Sequence, residues 1–316
     1  MTCKIVHGYK GFNSNMTSYG WFQYKVGETY IIDGEIKPFS HGFHFCRNAA
    51  DVLNYYGHES CRYAEVEVIG KLVNENDISV TNKLRIVREL TWAEMLEAMY
   101  RQEGVKIEDS PFPADKVIKA RETGTLDKML PSGTEFPVRF ANGEKNILVV
   151  CRDRDHTYLI TKYFMARYFP INVSHTNKGN WPASDMRKHV QEIYGMLPED
   201  IRKAIIPMHI KQVAEGRIVE CDDPAFLLST VNIFGKNAWN PKRDCGDTQI
   251  DIFRNPATRI KRRLGGSSAS WWWLRSVYNN SKFNAVNRIG DWRNIYYLQG
   301  LGVVIGFCIE AREARN

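Results

Sequence analysis

No run of about 18 consecutive apolar residues occurs in the 316-residue chain, so no membrane insertion through an apolar helix is expected. The opening MTCKIVHGYKGF has no apolar core of the kind a secretory leader needs. Synthesis in the cytoplasm without a signal peptide is the expectation, and virion association would have to follow without Sec export. The seven cysteines (Cys3, Cys46, Cys61, Cys151, Cys221, Cys245, Cys308) are scattered, odd in number and without a CxxC pair. That usage points to reduced thiols rather than a disulfide framework. No internal repeat and no low-complexity tract is visible.

What is present is ordinary globular material. Hydrophobic residues make up 43% and charged residues 25%, enough apolar substance for real cores. The length suggests two domains. A net charge of +7 is modest for this size, and the basic residues are mostly dispersed. The one dense cluster, RIKRRLGG at 259–266, is read as a solvated turn rather than a phosphate site, so nucleic acid is not expected as a partner.

The first 90 residues read as short strands and turns. WFQYKVGETYII (21–32) alternates around a Gly-containing turn, and RYAEVEVIGKL (62–72) has strict period-two alternation. SHGFHFCRNAADVLNYYG predicts a strand running into a short helix that starts near Asn48 or Asp51. KLRIVREL is a further strand. TWAEMLEAMYRQEG (91–104) predicts a helix capped by Thr91, with Glu94 completing a capping box and Gly104 as the stop. EDSPFPADK (108–116) reads as a linker. The expected division is a small α+β domain over 1–107, a linker over 108–135 and a second domain over 136–316.

In the second half, KNILVVCRDRDHTYLITKYFMARYFPI predicts two strands joined by a charged turn. GNWPASDMRKHVQEIYGMLPEDIRKAIIP predicts two short helices, with Ser184 as N-cap of the first and Pro198 at the first position of the second. AFLLSTVNIFG reads as a buried strand and turn. In WWW (271–273) at least one indole is expected in the core, since side chains alternate along a strand.

These pieces, in this order, carry a resemblance. NWPASDMRKHVQEIYGMLPEDIRKAI, AFLLSTVNIFG, WWWLRS, NAVNRIGDW and GVVIGFCI together resemble an uncharacterised domain common in phages and gut Firmicutes. Its marks are a helix pair, an FLLS strand, a WWLRS strand and a terminal GVRPAFCI strand. That domain is related to the C-type-lectin-like fold of formylglycine-generating enzymes and of the variable proteins of diversity-generating retroelements. The implied fold class is α+β, with a small N-terminal α+β domain followed by a C-type-lectin-like domain. One departure is Val304, where the family's strand has an arginine.

The resemblance further implies that residues between the tryptophan strand and the last strand face a ligand. Tyr278, Asn279, Asn280, Lys282, Asn284, Asn287, Arg288, Asp291, Arg293, Asn294, Tyr296 and Tyr297 are the expected binding residues. They match the codons that adenine-directed mutagenesis alters. Physically, Tyr and Trp give rigid contact area and Asn gives adaptable hydrogen bonds, as in antibody paratopes. The bland alternative is that the asparagines serve turns. The expected partner is a host protein or glycan. No cofactor is expected, and the acidic cluster of calcium lectins is not visible.

The N-terminal stretch resembles a second small phage and bacterial domain and, more weakly, the H-Y-E type of ADP-ribosyltransferase. HGYKG supplies His7 and Gly8, and GFHFCRNAADVLNYY puts His44 or Phe45 where the tyrosine belongs. The catalytic glutamate would fall where Lys83 and Leu84 stand, and Glu89 would need a register slip to replace it. Without that carboxylate the main source of transition-state stabilisation is missing. The expected function is therefore non-catalytic recognition, with an ADP-ribosyltransferase-like effector as the alternative. Oxidase chemistry of the formylglycine-generating kind is not expected either, because Cys308 has no cysteine near it in sequence. His41, His44, Cys46, His58 and Cys61 match no standard zinc spacing. Glu65 and Glu67 share one strand face by parity and read as a solvent-facing pair.

Overall fold

The structure is a computed structural model that describes residues 5–19, 21–103, 112–173, 177–235, 238 and 240–312. Cys3, Gly104 and residues 108–111 of the expected linker lie outside the described residues. The chain is α+β and forms two compact units. Unit 1 comprises Met1–Lys106 with Ala166–Tyr168 and Arg262–Ala269, and unit 2 comprises Ile107–Met165, Phe169–Lys261 and Ser270–Asn316.

Unit 1 holds β1 (Val6–Phe12), β2 (Thr29–Ile31), β3 (Phe43–Phe45), α1 (Ala49–Val52), β4 (Arg62–Val68), β5 (Leu72–Glu75), β6 (Ile78–Thr81), β7 (Lys83–Leu90) and α2 (Trp92–Glu103). One antiparallel sheet runs β1-β4-β7-β2 and a second runs β3-β6-β5. The alternation of RYAEVEV sets the faces: Ala64, Val66 and Val68 turn inward onto Phe12, Leu84, Ile86 and Phe43. Glu65 and Glu67 turn outward to Arg88 at 2.9 Å and Arg85 at 3.5 Å. The capping box of α2 forms as the sequence predicts. Thr91 N–H donates to the Glu94 carboxylate at 2.8 Å and Glu94 N–H to Thr91 Oγ1 at 3.3 Å. The Thr91 N–H, the Thr91 hydroxyl at 2.9 Å and then Arg88, all donating to the carboxylate, lower the Glu94 pKa to about 2.

Three expectations need correction in unit 1. The stretch 21–32 keeps only Thr29–Ile31 as strand, because Trp21 takes a positive φ of 63° and Tyr24 turns into the core instead of alternating. RIKRRLGG is not a solvated turn, since Lys261 and Arg263 are buried. The Arg263 guanidinium donates to Ala166 O at 2.7 Å and Leu53 O at 3.1 Å, and stacks 3.8 Å from the Tyr168 ring centre. A linear division at 107 also fails, because residues 262–269 are fastened into unit 1. Asp51 accepts from Ser267 N–H at 2.9 Å and Ser267 Oγ at 2.6 Å, and Asp77 accepts from Ser268 Oγ at 3.0 Å. Gly265 sits at φ +83°, where a Cβ would stand 2.4 Å from Met99 O, so only glycine fits there.

Unit 2 begins with helices where a linker was expected: α3 (Ala114–Glu122) and α4 (Leu126–Met129). There follow β8 (Glu135–Arg139), β9 (Lys145–Arg152), β10 (His156–Thr161), α5 (Asp185–Gly195), α6 (Glu199–Ala204), β11 (Met208–Ala214), β12 (Arg217–Asp223), β13 (Phe226–Leu227), α7 (Thr230–Phe234) and β14 (Asp244–Cys245). Short strands β15 (Lys261–Arg262) and β16 (Ala269–Ser270) lie where the chain passes between units. The last elements are β17 (Trp272–Asn279), β18 (Lys282–Val286), β19 (Trp292–Tyr296) and β20 (Ile305–Ala311). The sheets run β13-β20-β10-β9-β8, β12-β11-β14 and β17-β18-β19.

Ser184 caps α5 by accepting from Arg187 N–H at 3.1 Å. Pro198 occupies the N-cap of α6, one residue earlier in the helix than its sequence position suggests. The stretch after β13 is a helix, not a turn: Ser229 and Asn232 form a capping box that starts α7. Both Trp272 and Trp273 are fully buried, since β17 is covered on both faces.

The WWLRS motif is a core motif here. Arg275, 1% exposed, pairs with Asp247 and donates to Leu227 O at 2.8 Å and Asn232 Oδ1 at 3.0 Å. Ser276 Oγ donates to Asp244 at 2.5 Å, and Gln212 Nε2 donates to the same carboxylate at 2.8 Å. A buried charge is tolerable only with this degree of satisfaction.

Candidate functional site

Each unit holds, among its described residues, a place with the form of a binding site.

In unit 2 the expected binding residues divide into three groups by burial. Asn284 is 1% exposed and donates through Nδ2 to Thr230 Oγ1 at 2.9 Å; Asn287 is buried too, and its Oδ1 accepts from Ile289 N–H at 3.1 Å and Asp291 N–H at 2.9 Å. Both are withdrawn from the ligand-facing set: one is a core contact and the other organises a turn, the bland role asparagine fills readily. Asn279, Asn280, Arg288, Asp291, Arg293 and Tyr296 are exposed. Tyr278, Lys282, Asn294 and Tyr297 are half-buried. The cross-strand pair Lys282–Tyr296 places the ammonium 4.7 Å from the ring centre.

The exposed residues at the β17–β18 turn border a cleft of about 300 Å³. Its walls include Asn177, Asn180, Arg243, Asn279 and Asn280. Asn177 Nδ2 donates to Asn279 O at 3.0 Å, and Arg243 to Tyr278 O at 3.1 Å, so two wall residues hold the end of β17 in place. The cleft is polar and offers carboxamides that can both donate and accept.

Unit 1 holds a cavity of about 530 Å³, within the range of small-molecule sites. Its walls are mainly rings: Tyr9, Phe22, Tyr24, Phe39, Phe43 and Phe45 are among them. One wall residue is Lys10, which sequence reading passed over. The signal was there: on β1, Gly8, Lys10 and Phe12 share the inward face of a strand whose other face carries His7 and Tyr9. Lys10 is 5% exposed. Its ammonium donates to His44 O at 2.6 Å and lies 4.9 Å from the Tyr24 ring centre and 5.7 Å from that of Phe12. No Asp or Glu is among the described residues of its wall.

Magnitudes decide how settled this lysine is. Removing an ammonium from water costs several kcal/mol. A charged hydrogen bond returns about 1.5–3 kcal/mol and a ring face about 0.5–2 kcal/mol. The balance is an ammonium that burial destabilises, and burial lowers the Lys10 pKa to about 8. The neighbours respond in kind. Burial, then the Lys10 charge, lowers the His44 pKa, and burial pushes the Tyr24 hydroxyl up to about 12. His44 Nε2 accepts from Phe39 N–H at 2.8 Å.

The residues of the transferase alternative are not gathered around this cavity. His7 is exposed and does not line it. Glu89 is held by Arg62 through bonds of 2.6 and 2.5 Å. Only His44 and Phe45 of that set border the cavity. No group of three or more His, Cys, Asp or Glu that could hold a metal occurs among the described residues.

A family model described as a domain of unknown function, DUF7666, matches residues 6–98. A second, also described as a domain of unknown function, DUF6273, matches residues 154–311, half of the chain. No curated protein and no solved structure matches the chain.

Proposed function

The chain belongs to the DUF6273 family, and on that premise we propose that it is a non-catalytic recognition protein whose second unit, a lectin-like domain, presents the β17–β18–β19 sheet to a host glycan or protein. The observation that carries the reading is the contrast within that sheet. Trp272, Trp273, Phe283 and Arg275 on its strands are buried, while Asn279, Arg293 and Tyr296 on the strands and Asn280 and Arg288 in the connections are exposed. A well-packed sheet that carries adaptable polar and aromatic side chains is the arrangement that lets a surface bind without large ordering entropy. The carboxamide-rich cleft beside Asn279 and Asn280 favours a hydroxyl-rich glycan over an apolar protein patch. In this reading the protein is of phage or prophage origin, and the exposed stretch is a variable surface diversified by a retroelement.

The test is a glycan array and a pull-down from host surface extract, run with the intact protein and with Asn279→Ala/Asn280→Ala and Tyr296→Ala variants. Binding that drops about tenfold or more in folded variants supports the assignment, since interface anchors contribute on that scale. Unchanged binding overturns it. A transferase effector in unit 1 is the second reading, and it rests on the cavity that His44 borders. Labelled NAD with host lysate is expected to give no transfer, and transfer abolished by Glu89→Gln would reverse the order of the two readings.

A further inference from the structure

The recognition reading makes no use of the cavity in unit 1, and the cavity has an unusual charge balance. Its described wall holds one buried ammonium, many ring faces and no carboxylate. Among the described residues the ammonium has one hydrogen-bond acceptor, the carbonyl of His44, and otherwise faces the Tyr24 and Phe12 rings. The titratable groups beside it, His44, Cys46 and Tyr24, give it no negative charge to pair with at neutral pH, because burial pushes the thiol of Cys46 and the hydroxyl of Tyr24 upward. We propose that this cavity binds a small planar aromatic anion, with its carboxylate paired to Lys10 and its ring stacked among Phe22, Tyr24 and Phe43.

Each part of the ligand follows from a part of the wall. The rings favour a flat apolar body, because offset and edge-to-face packing adds to simple burial. Phe22, Tyr24, Tyr30 and Phe43 already pack in this way at centroid distances of 4.8 to 6.3 Å. Lys10 favours one negative charge at one end, since an ion pair in a low-dielectric site is stronger than in water. A cationic ligand would meet Lys10 as a like charge. A neutral ligand would leave the ammonium as it stands. A polyanion would find no second cation, since Lys10 is the one Lys or Arg on the described wall.

The experiment is isothermal titration of the full chain at pH 7 with three bicyclic aromatic probes that differ only in a carboxylate, a carboxamide or an aminomethyl group. The carboxylate should bind at least about 30-fold more tightly than the amide, the factor expected for a buried charge pair. The amine should not bind. In Lys10→Met, with a melting temperature no lower than the parent's, carboxylate affinity should fall to that of the amide while amide affinity stays unchanged. Equal binding of carboxylate and amide, preference for the amine, or absence of binding by all three would overturn the proposal. The comparison of the three probes on the unaltered protein decides the matter even where the variant fails to fold.

Discussion

Each unit buries a cation, and the two do so in opposite ways. Arg275 in unit 2 is enclosed by Asp247, two acceptors and the ring face of Phe226. Lys10 in unit 1 has one carbonyl and ring faces. A guanidinium paired with a carboxylate and held by two further acceptors specifies a core, whereas an ammonium without a counter-charge costs stability and so needs another reason to be there. The same substitution should therefore act in opposite directions at the two sites.

The largest effect is expected from Arg275→Met. It strands Asp247, whose pKa burial already raises to about 6, and should destabilise unit 2 by about 3–5 kcal/mol in urea denaturation. The comparison breaks if that variant is as stable as the parent. Lys10→Met should do the reverse and stabilise unit 1 by about 1–3 kcal/mol at pH 7. The pH dependence sharpens this. With a folded pKa lowered to about 8 from 10.5, the unfolded chain holds a proton above pH 8 that the folded chain has released. From pH 8 toward 9 Lys10 then contributes a rise of about 1.4 kcal/mol per unit at most, while the buried thiols, with pKa values raised by burial, contribute with the opposite sign over the same range. Lys261 in unit 2, also lowered to about 8 by burial, contributes with the same sign as Lys10. The Lys10 share is the part of the slope that Lys10→Met removes.

Gly265→Ala tests whether residues 262–269 belong to unit 1. The positive φ and the close Met99 carbonyl predict a loss of about 1–3 kcal/mol, read as a lowered melting temperature. Smaller still is the contrast within the recognition stretch. Asn284→Ala should lose about 1–2 kcal/mol of stability through its buried partner Thr230, while Asn279→Ala should change stability by less than about 0.5 kcal/mol. Equal losses would erase the division between buried and exposed positions.

The elements legible in the sequence were those with local causes. Strict alternation marked β4, a capping box marked α2, and Ser184 marked the start of α5. Long-range causes were silent. Nothing local shows that residues 262–269 pack into unit 1, because their partners Asp51, Leu53 and Ala166 are distant in sequence. The Trp–Leu–Arg–Ser run marked a strand, but the partners of its polar residues, Asp244 and Asp247, are distant in sequence. At the site, residue type alone could not separate Asn279, on the surface, from Asn284, in the core, because a bulge in β17 shifts the register between them. Lys10 was missed because a strand lysine between Tyr9 and Gly11 ordinarily faces solvent, and only the packing of β3 and Tyr24 over it removes the water.

The recognition claim is tested most directly by measuring the affinity of the intact protein for the glycan selected from the array, beside an Asn279→Ala/Asn280→Ala/Tyr296→Ala variant with an unaltered melting curve. The account predicts at least about a tenfold loss in the variant, the scale set by interface anchors. Undiminished affinity would contradict it and place the ligand elsewhere on the protein.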